Sequence, residues 1–168
     1  MQKPIKHFTS RLQTLSQLLD QASEHFGNDD FLKLRLVEDM LPMSTQIAFT
    51  CNQPHNFAQW VRGEEVSHLS GEFETLADAR KLIADTLQEL EQLQGNGLEL
   101  PAEKRLELGP EFYALLPAAE YIEDYLYPNF YFHLVTAYDI LRANGVAIGK
   151  AEYMAHLRDR VIPKATEQ

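Results

Sequence analysis

A chain of 168 residues, 45% hydrophobic and 24% charged, has the size and composition of one globular domain and not those of a disordered or fibrous protein. The net charge is −10, and residues 64–124 carry fifteen acids against four bases, a local charge of −11. Such a surface repels phosphate backbones, so no nucleic-acid partner is expected.

Cys51 is the single cysteine, which excludes an internal disulfide, and no Cys/His spacing matches a zinc site. A reducing, cytoplasmic setting is the expectation. The N-terminal stretch MQKPIKHFTSRLQTL lacks the apolar core and cleavage site of a secretory signal. No run of about eighteen apolar residues is present to span a membrane. One domain over residues 1–168 is the economical division.

Ile5, Phe8, Leu12, Leu15, Leu19, Ala22 and Phe26 recur at steps of three and four. That spacing predicts an amphipathic helix ending at Gly27-Asn28. After a connection from Asp29 to Glu38, Asp39 is placed to cap a second helix with Pro42 in its first turn. Met40, Met43, Ile47, Thr50 and Cys51 form its apolar stripe, and Pro54 predicts a break or kink, with a further turn through Phe57 and Trp60 before Arg62-Gly63. Thr75 and Asp78 read as a capping box for a third helix, with Leu76, Ala79, Ile83, Leu87, Leu90 and Leu93 on one face. Its stop signal is Gly95-Asn96-Gly97.

Alternation over Arg105–Leu108, followed by Gly109-Pro110, predicts a small β-hairpin. A short helix from Ala118 to Tyr127 and a fresh helix opened by Pro128 come next, the latter carrying Phe130, His133, Leu134, Ala137, Ile140 and Leu141. A last short helix runs from Lys150 to about Arg158. The sum is an all-α fold, a four-helix bundle whose third and fourth helices are joined by a long connection holding the hairpin.

Polar residues on apolar stripes are the candidate site. His133 lies in PNFYFHLVTAYDIL, and nine of the 17 aromatic residues fall between Phe112 and Tyr138. A buried imidazole needs a partner, and Gln46, on the apolar stripe of the second helix, is the one named. Asn129 is one turn before His133 on the same face, and Asp39 shares a face with Gln46. The spacing of Asn129 and His133 suits two ligands on one ion, but an amide is a poor transition-metal ligand. The other five histidines, His7, His25, His55, His68 and His156, read as surface residues. Tyr121, Tyr125, Tyr127 and Tyr131 exceed what one helix face buries, which predicts self-association as a two-fold dimer.

KLRLVEDMLPMSTQI and PNFYFHLVTAYDILRANGVAIGKAEY together resemble an uncharacterised branch of the DinB-like superfamily. The resemblance covers nearly the whole chain and implies a four-helix bundle with a long third connection. Better-known members of that superfamily hold a divalent metal through three histidines and act as thiol transferases or metal-dependent hydrolases. Carried over, His133 matches one of the two paired histidines, Asn129 stands at the other, and Gln46 stands at the second-helix position. With two imidazoles replaced, neither a metal nor another cofactor is expected. Three readings follow: a small-molecule-binding bundle with a pocket at Asp39, Gln46, Asn129 and His133; a transferase or hydrolase with a degenerate metal site; and a structural or stress-related interaction module.

Overall fold

The computed structural model describes residues 1–95 and 97–162. Asn96, within the predicted stop signal of the third helix, and residues 163–168 of the polar tail lie outside them. Six α-helical segments and one antiparallel pair of strands follow each other along the described chain.

Helix α1 (Gln2–Phe26) buries Ile5, Phe8, Leu12, Leu15, Leu19 and Ala22 completely or nearly so, and Gly27 closes it at φ 66°. A left-handed φ is available to glycine without steric penalty, so the residue fixes the end of the helix. The connection that follows contributes a 3-10 turn, Asp30–Lys33, with Phe31 and Leu32 in the core. Asp29 reaches across to accept a hydrogen bond from the first amide of α3 (Leu76–Gln92) at 3.1 Å. At that same end the Thr75 side chain accepts from Asp78 N–H, the capping box expected from the sequence.

Helix α2 (Met43–Arg62) starts later than expected and runs on unbroken through Pro54. Its N-cap is Pro42, in extended conformation, and Asp39 lies in an exposed turn three residues earlier. The Met43 amide is satisfied by the Leu34 carbonyl at 2.8 Å, so the helix starts without a side-chain cap. Pro54 does not end the helix. A proline inside a helix costs about 3 kcal/mol or more in a lost hydrogen bond and a steric clash. Sixteen of the twenty residues of α2 are buried, and at roughly 1.5–3 kcal/mol per large apolar side chain their packing outweighs that cost.

The hairpin is formed by β1 (Glu103–Glu107) and β2 (Tyr113–Pro117), with Arg105 opposite Leu115 and the turn closed by Leu108 N–H to Phe112 O at 2.9 Å. Trp60 Nε1–H donates to Glu103 O at 3.2 Å and fastens the hairpin to α2. Beyond it, α4 (Ala118–Glu120), a π-helical turn (Tyr121–Leu126) and α5 (Tyr127–Ala143) continue with helical backbone angles through both junctions. Pro128 therefore opens no new helix. It sits just after the wide turn, where the Tyr127 amide bonds to Ile122 O, five residues back. The change of pitch relieves the ring of the clash it would meet in an unbroken α-helix. Helix α6 (Lys150–Tyr153) and a 3-10 turn (Ala155–Arg160) end the described chain and pack on α1.

Helix α2 packs between α3 and α5, and α1 completes the bundle, chiefly against α3. Four aromatic rings, Phe8, Phe57, Tyr127 and Phe130, meet near the centre, with Phe8 5.1–5.9 Å from the other three. No helix among the described residues is long and apolar enough to cross a membrane.

Candidate functional site

The seam between α2 and α5 brings two of the four candidates together. Gln46 is 2% exposed, so its amide must be satisfied from within the protein. Its Nε2–H donates to the Leu41 carbonyl at 3.1 Å, and its Oε1 is 2.9 Å from His133 Nδ1. A carbonyl oxygen only accepts, so the proton of this bond belongs to His133 Nδ1. That assignment leaves His133 Nε2 with a lone pair, and it has no hydrogen-bond partner among the described residues. Burial lowers the pKa of the ring below the ordinary histidine value, so it stays neutral near pH 7. Phe49 and Phe132 stand edge-on to it, with centroids 5.1 and 5.2 Å away. The result is a neutral imidazole held in one tautomer and one orientation, with an acceptor atom free.

Asn129 is half-buried one turn earlier on α5, where its Nδ2–H donates to the Tyr125 carbonyl at 2.7 Å. Asp39, exposed in its turn, makes no hydrogen bond to either member of the pair. Cavities of about 180 to 680 Å³ in this protein are lined by other residues. Gln46 and His133 thus join α2 to α5 through one hydrogen bond, with Asn129 one turn away on α5.

The three positions implied as metal ligands by the resemblance hold two amides and one imidazole. Gln46 Oε1 is occupied by His133, and the Nδ1 of that histidine is turned toward the glutamine. Among the described residues no three His, Cys, Asp or Glu side chains come together. This donor set does not fit a tightly held transition metal. Cys51 adds nothing to it: it is fully buried, which pushes its thiol up to about 12 and keeps it protonated.

Two of the histidines expected at the surface are instead in networks. His55, on α2, is 8% exposed. Its Nδ1 is 2.7 Å from Glu89 Oε2 on α3, and its Nε2 is 3.2 Å from Ser67 Oγ. Hydroxyl, imidazole and carboxylate stand in the order used for acyl transfer. Here, however, Gln59 grips Ser67 at both ends, donating to its Oγ and accepting from its N–H, each at 2.9 Å. Asn52 accepts from Leu69 N–H at 2.7 Å. The network fastens the segment after α2 back onto that helix. Its signal in the sequence is the polar row Asn52, His55, Gln59, at helical spacing on α2.

His7, on α1, meets α5. Tyr131 OH is 2.9 Å from His7 Nε2 and receives Arg11 Nε–H at 3.2 Å. The tyrosine oxygen accepts from arginine and also bonds the imidazole, whose tautomer sets which of the two donates. His7 also stacks on Tyr127 at 4.2 Å. Burial first, then the charges of Arg11, His156 and Lys3, lower its pKa from 6.5 to about 4. Tyr121 is buried against Trp60. Of the four tyrosines expected to face a partner, three are thus used largely within the chain, and Tyr125 is 37% exposed.

The depressed His7 gives a pH prediction. Unfolded chains take up this proton near pH 6.5 and folded ones only near 4, so the unfolded state binds more protons between those values. Stability falls as pH drops through that window and gains no further loss from this group below about 4. A tenfold change in proton affinity is worth about 1.4 kcal/mol. Solvent screening of a half-buried ring reduces the total to about 1–2 kcal/mol. Urea denaturation of wild type and His7→Gln at pH 7.5 and 4.5 measures it: wild type loses this amount relative to the variant. A difference independent of pH would contradict the assignment.

The family model for a domain of unknown function (DUF1993) matches residues 2–154. No curated protein matches the chain. Among solved structures, the chain is similar to a crystal structure of a DinB family member protein from Shewanella denitrificans, with 26% identity and a TM-score of 0.74, covering 96% of this chain and 92% of that one. The mostly helical fold with a small antiparallel sheet is DinB-like. With the match extending from the first turn of α1 to the end of α6, the chain belongs to the DUF1993 family.

Proposed function

We propose that this protein binds a small molecule along the α2–α5 seam, with His133 Nε2 as its polar anchor and no tightly bound metal. The observation that carries this reading is the 2.9 Å contact between Gln46 Oε1 and His133 Nδ1, which fixes an acceptor lone pair at the open end of the ring. Phe132 beside it is 60% exposed and Val135 is 38% exposed, an apolar surround on the solvent side. A ligand with an N–H or O–H donor on an apolar body suits that combination. The same neutral, oriented imidazole favours a second reading, an enzyme in which His133 acts as general base.

The test uses protein with ¹⁵N-labelled histidine and a library of small amines, amides and alcohols with apolar bodies. Binding members shift the His133 Nε2 resonance, and their binding is lost in His133→Ala. The purified sample carries no stoichiometric zinc, nickel or iron by elemental analysis. A library that binds elsewhere, or moves no His133 resonance, reduces the Gln46–His133 pair to a device that sets helix register. About one metal per chain, lost in His133→Ala, would overturn the metal-free assignment.

A further inference from the structure

We propose a second site, for a phosphorylated small molecule, in the groove between α1 and the 3-10 turn Ala155–Arg160. This groove has a volume of about 680 Å³ and is lined by Lys3, Lys6, His7, Arg11, His156 and Arg160, with Ser10 and Leu157 between them. Among the described residues no carboxylate lines it. None of its four lysines and arginines is in an ion pair among the described residues. In a chain of net charge −10, four unpaired cations around one concavity repel each other and raise a local positive potential. Such a concavity concentrates anions.

The site is also organised for its ligand. Lys3, Lys6, His7, Ser10 and Arg11 follow the helical repeat along one face of α1. Arg11 is held by Nε–H to Tyr131 OH at 3.2 Å and by one terminal nitrogen to Ser10 Oγ at 2.7 Å. Its other terminal nitrogen is uncommitted, so the guanidinium is fixed in place with donors to spare. His7 holds Tyr131 from the far side at 2.9 Å, which keeps this support rigid. His156, which also lines the groove, has its Nδ1 buried with no hydrogen-bond partner among the described residues. A fixed guanidinium fork with flexible lysines around it matches the several oxygens of a phosphate or diphosphate group. Leu157 and the lysine methylenes offer an apolar wall to the rest of the molecule. His133 faces α2 and Tyr131 faces α1, so this groove and the α2–α5 seam use different sides of α5.

Isothermal titration of the full chain with pyrophosphate at low ionic strength tests the proposal. Wild type binds, Arg11→Gln weakens the affinity at least tenfold, and Lys6→Gln weakens it several-fold. Lys6 is exposed, so its replacement leaves the fold intact even if Arg11→Gln disturbs it. Parallel arms use vesicles of phosphatidylcholine with phosphatidic acid and a short single-stranded DNA. Absence of pyrophosphate binding, unchanged affinity in both variants, or an equal effect of sodium chloride at matched ionic strength overturns the site. Binding to vesicles or DNA alone overturns its assignment to a small molecule. None of these variants touches Gln46 or His133, so the two sites stand or fall separately.

Discussion

Gln46→Ala lowers the stability of the folded chain by about 2–4 kcal/mol, the sum of two orphaned polar groups and a cavity. The side chain is 2% exposed and serves two partners, the Leu41 carbonyl ahead of α2 and the imidazole of His133 on α5. Truncation leaves the Leu41 carbonyl without its donor and the His133 Nδ1–H without its acceptor. His133→Ala costs less, on the order of 1–3 kcal/mol, because the ring is only half-buried and its removal orphans one polar atom, the Gln46 oxygen, instead of two. Both single variants break one and the same hydrogen bond, so the double variant is destabilised by less than their sum. Urea denaturation of the four proteins gives the coupling directly. Strict additivity would show that the two side chains do not share an interaction, and the seam would lose its centre.

Phe8→Ala has the larger effect, about 3–5 kcal/mol, as expected for deleting a fully buried aromatic ring. Phe8 is 0% exposed and touches rings from two other helices, Phe57 on α2 and Tyr127 and Phe130 on α5. Three helices held apart by their own packing cannot all close on the void. At about 2–4 °C per kcal/mol for a chain of this size, the melting temperature falls by roughly 6–20 °C. Phe8→Leu keeps most of the volume and is the milder variant. Equal melting curves for wild type and Phe8→Ala would mean that the centre of the bundle lies elsewhere.

Where local signals and tertiary packing agree, the sequence is a good guide to this fold. The seven-residue stripe of α1, the Thr75–Asp78 box of α3 and the Gly109-Pro110 turn are features of single segments, and the structure has each of them. Prolines mislead because their cost is local and its compensation is not. Pro54 survives inside α2 through burial on nearly every side, and Pro128 through a change of helical pitch just before it. Asp39 has the right chemistry for a cap, but the extended Pro42 starts the helix later.

The site divides in the same way. Gln46 on an apolar stripe requires a polar partner wherever the helix packs, so its search for His133 can be reasoned from one chain. His7, Arg11, Tyr127 and Tyr131 are two pairs at helical spacing on α1 and α5, and nothing in either segment says that they face each other. Lys3 and Arg160 meet only because the last described turn folds back on α1. The sequence is acidic on the whole and shows no basic run, which hides a positive groove assembled from its two ends.

The π-helical turn at Tyr121–Leu126 holds one residue more than an α-helical turn spanning the same hydrogen-bonded path. At 3.6 residues per turn, removing one residue there rotates whatever precedes it by roughly 100° about the helix axis. What precedes it is α4 and, through Pro117, the hairpin. Tyr121 would leave its place against Trp60, and the Glu103 carbonyl would swing away from the indole N–H that it now accepts. The azimuth of the hairpin on the bundle is thus encoded by a residue count. Relatives that differ by a one-residue gap in this turn would present β1 and β2 over a different face of the molecule, with every side chain of the hairpin unchanged.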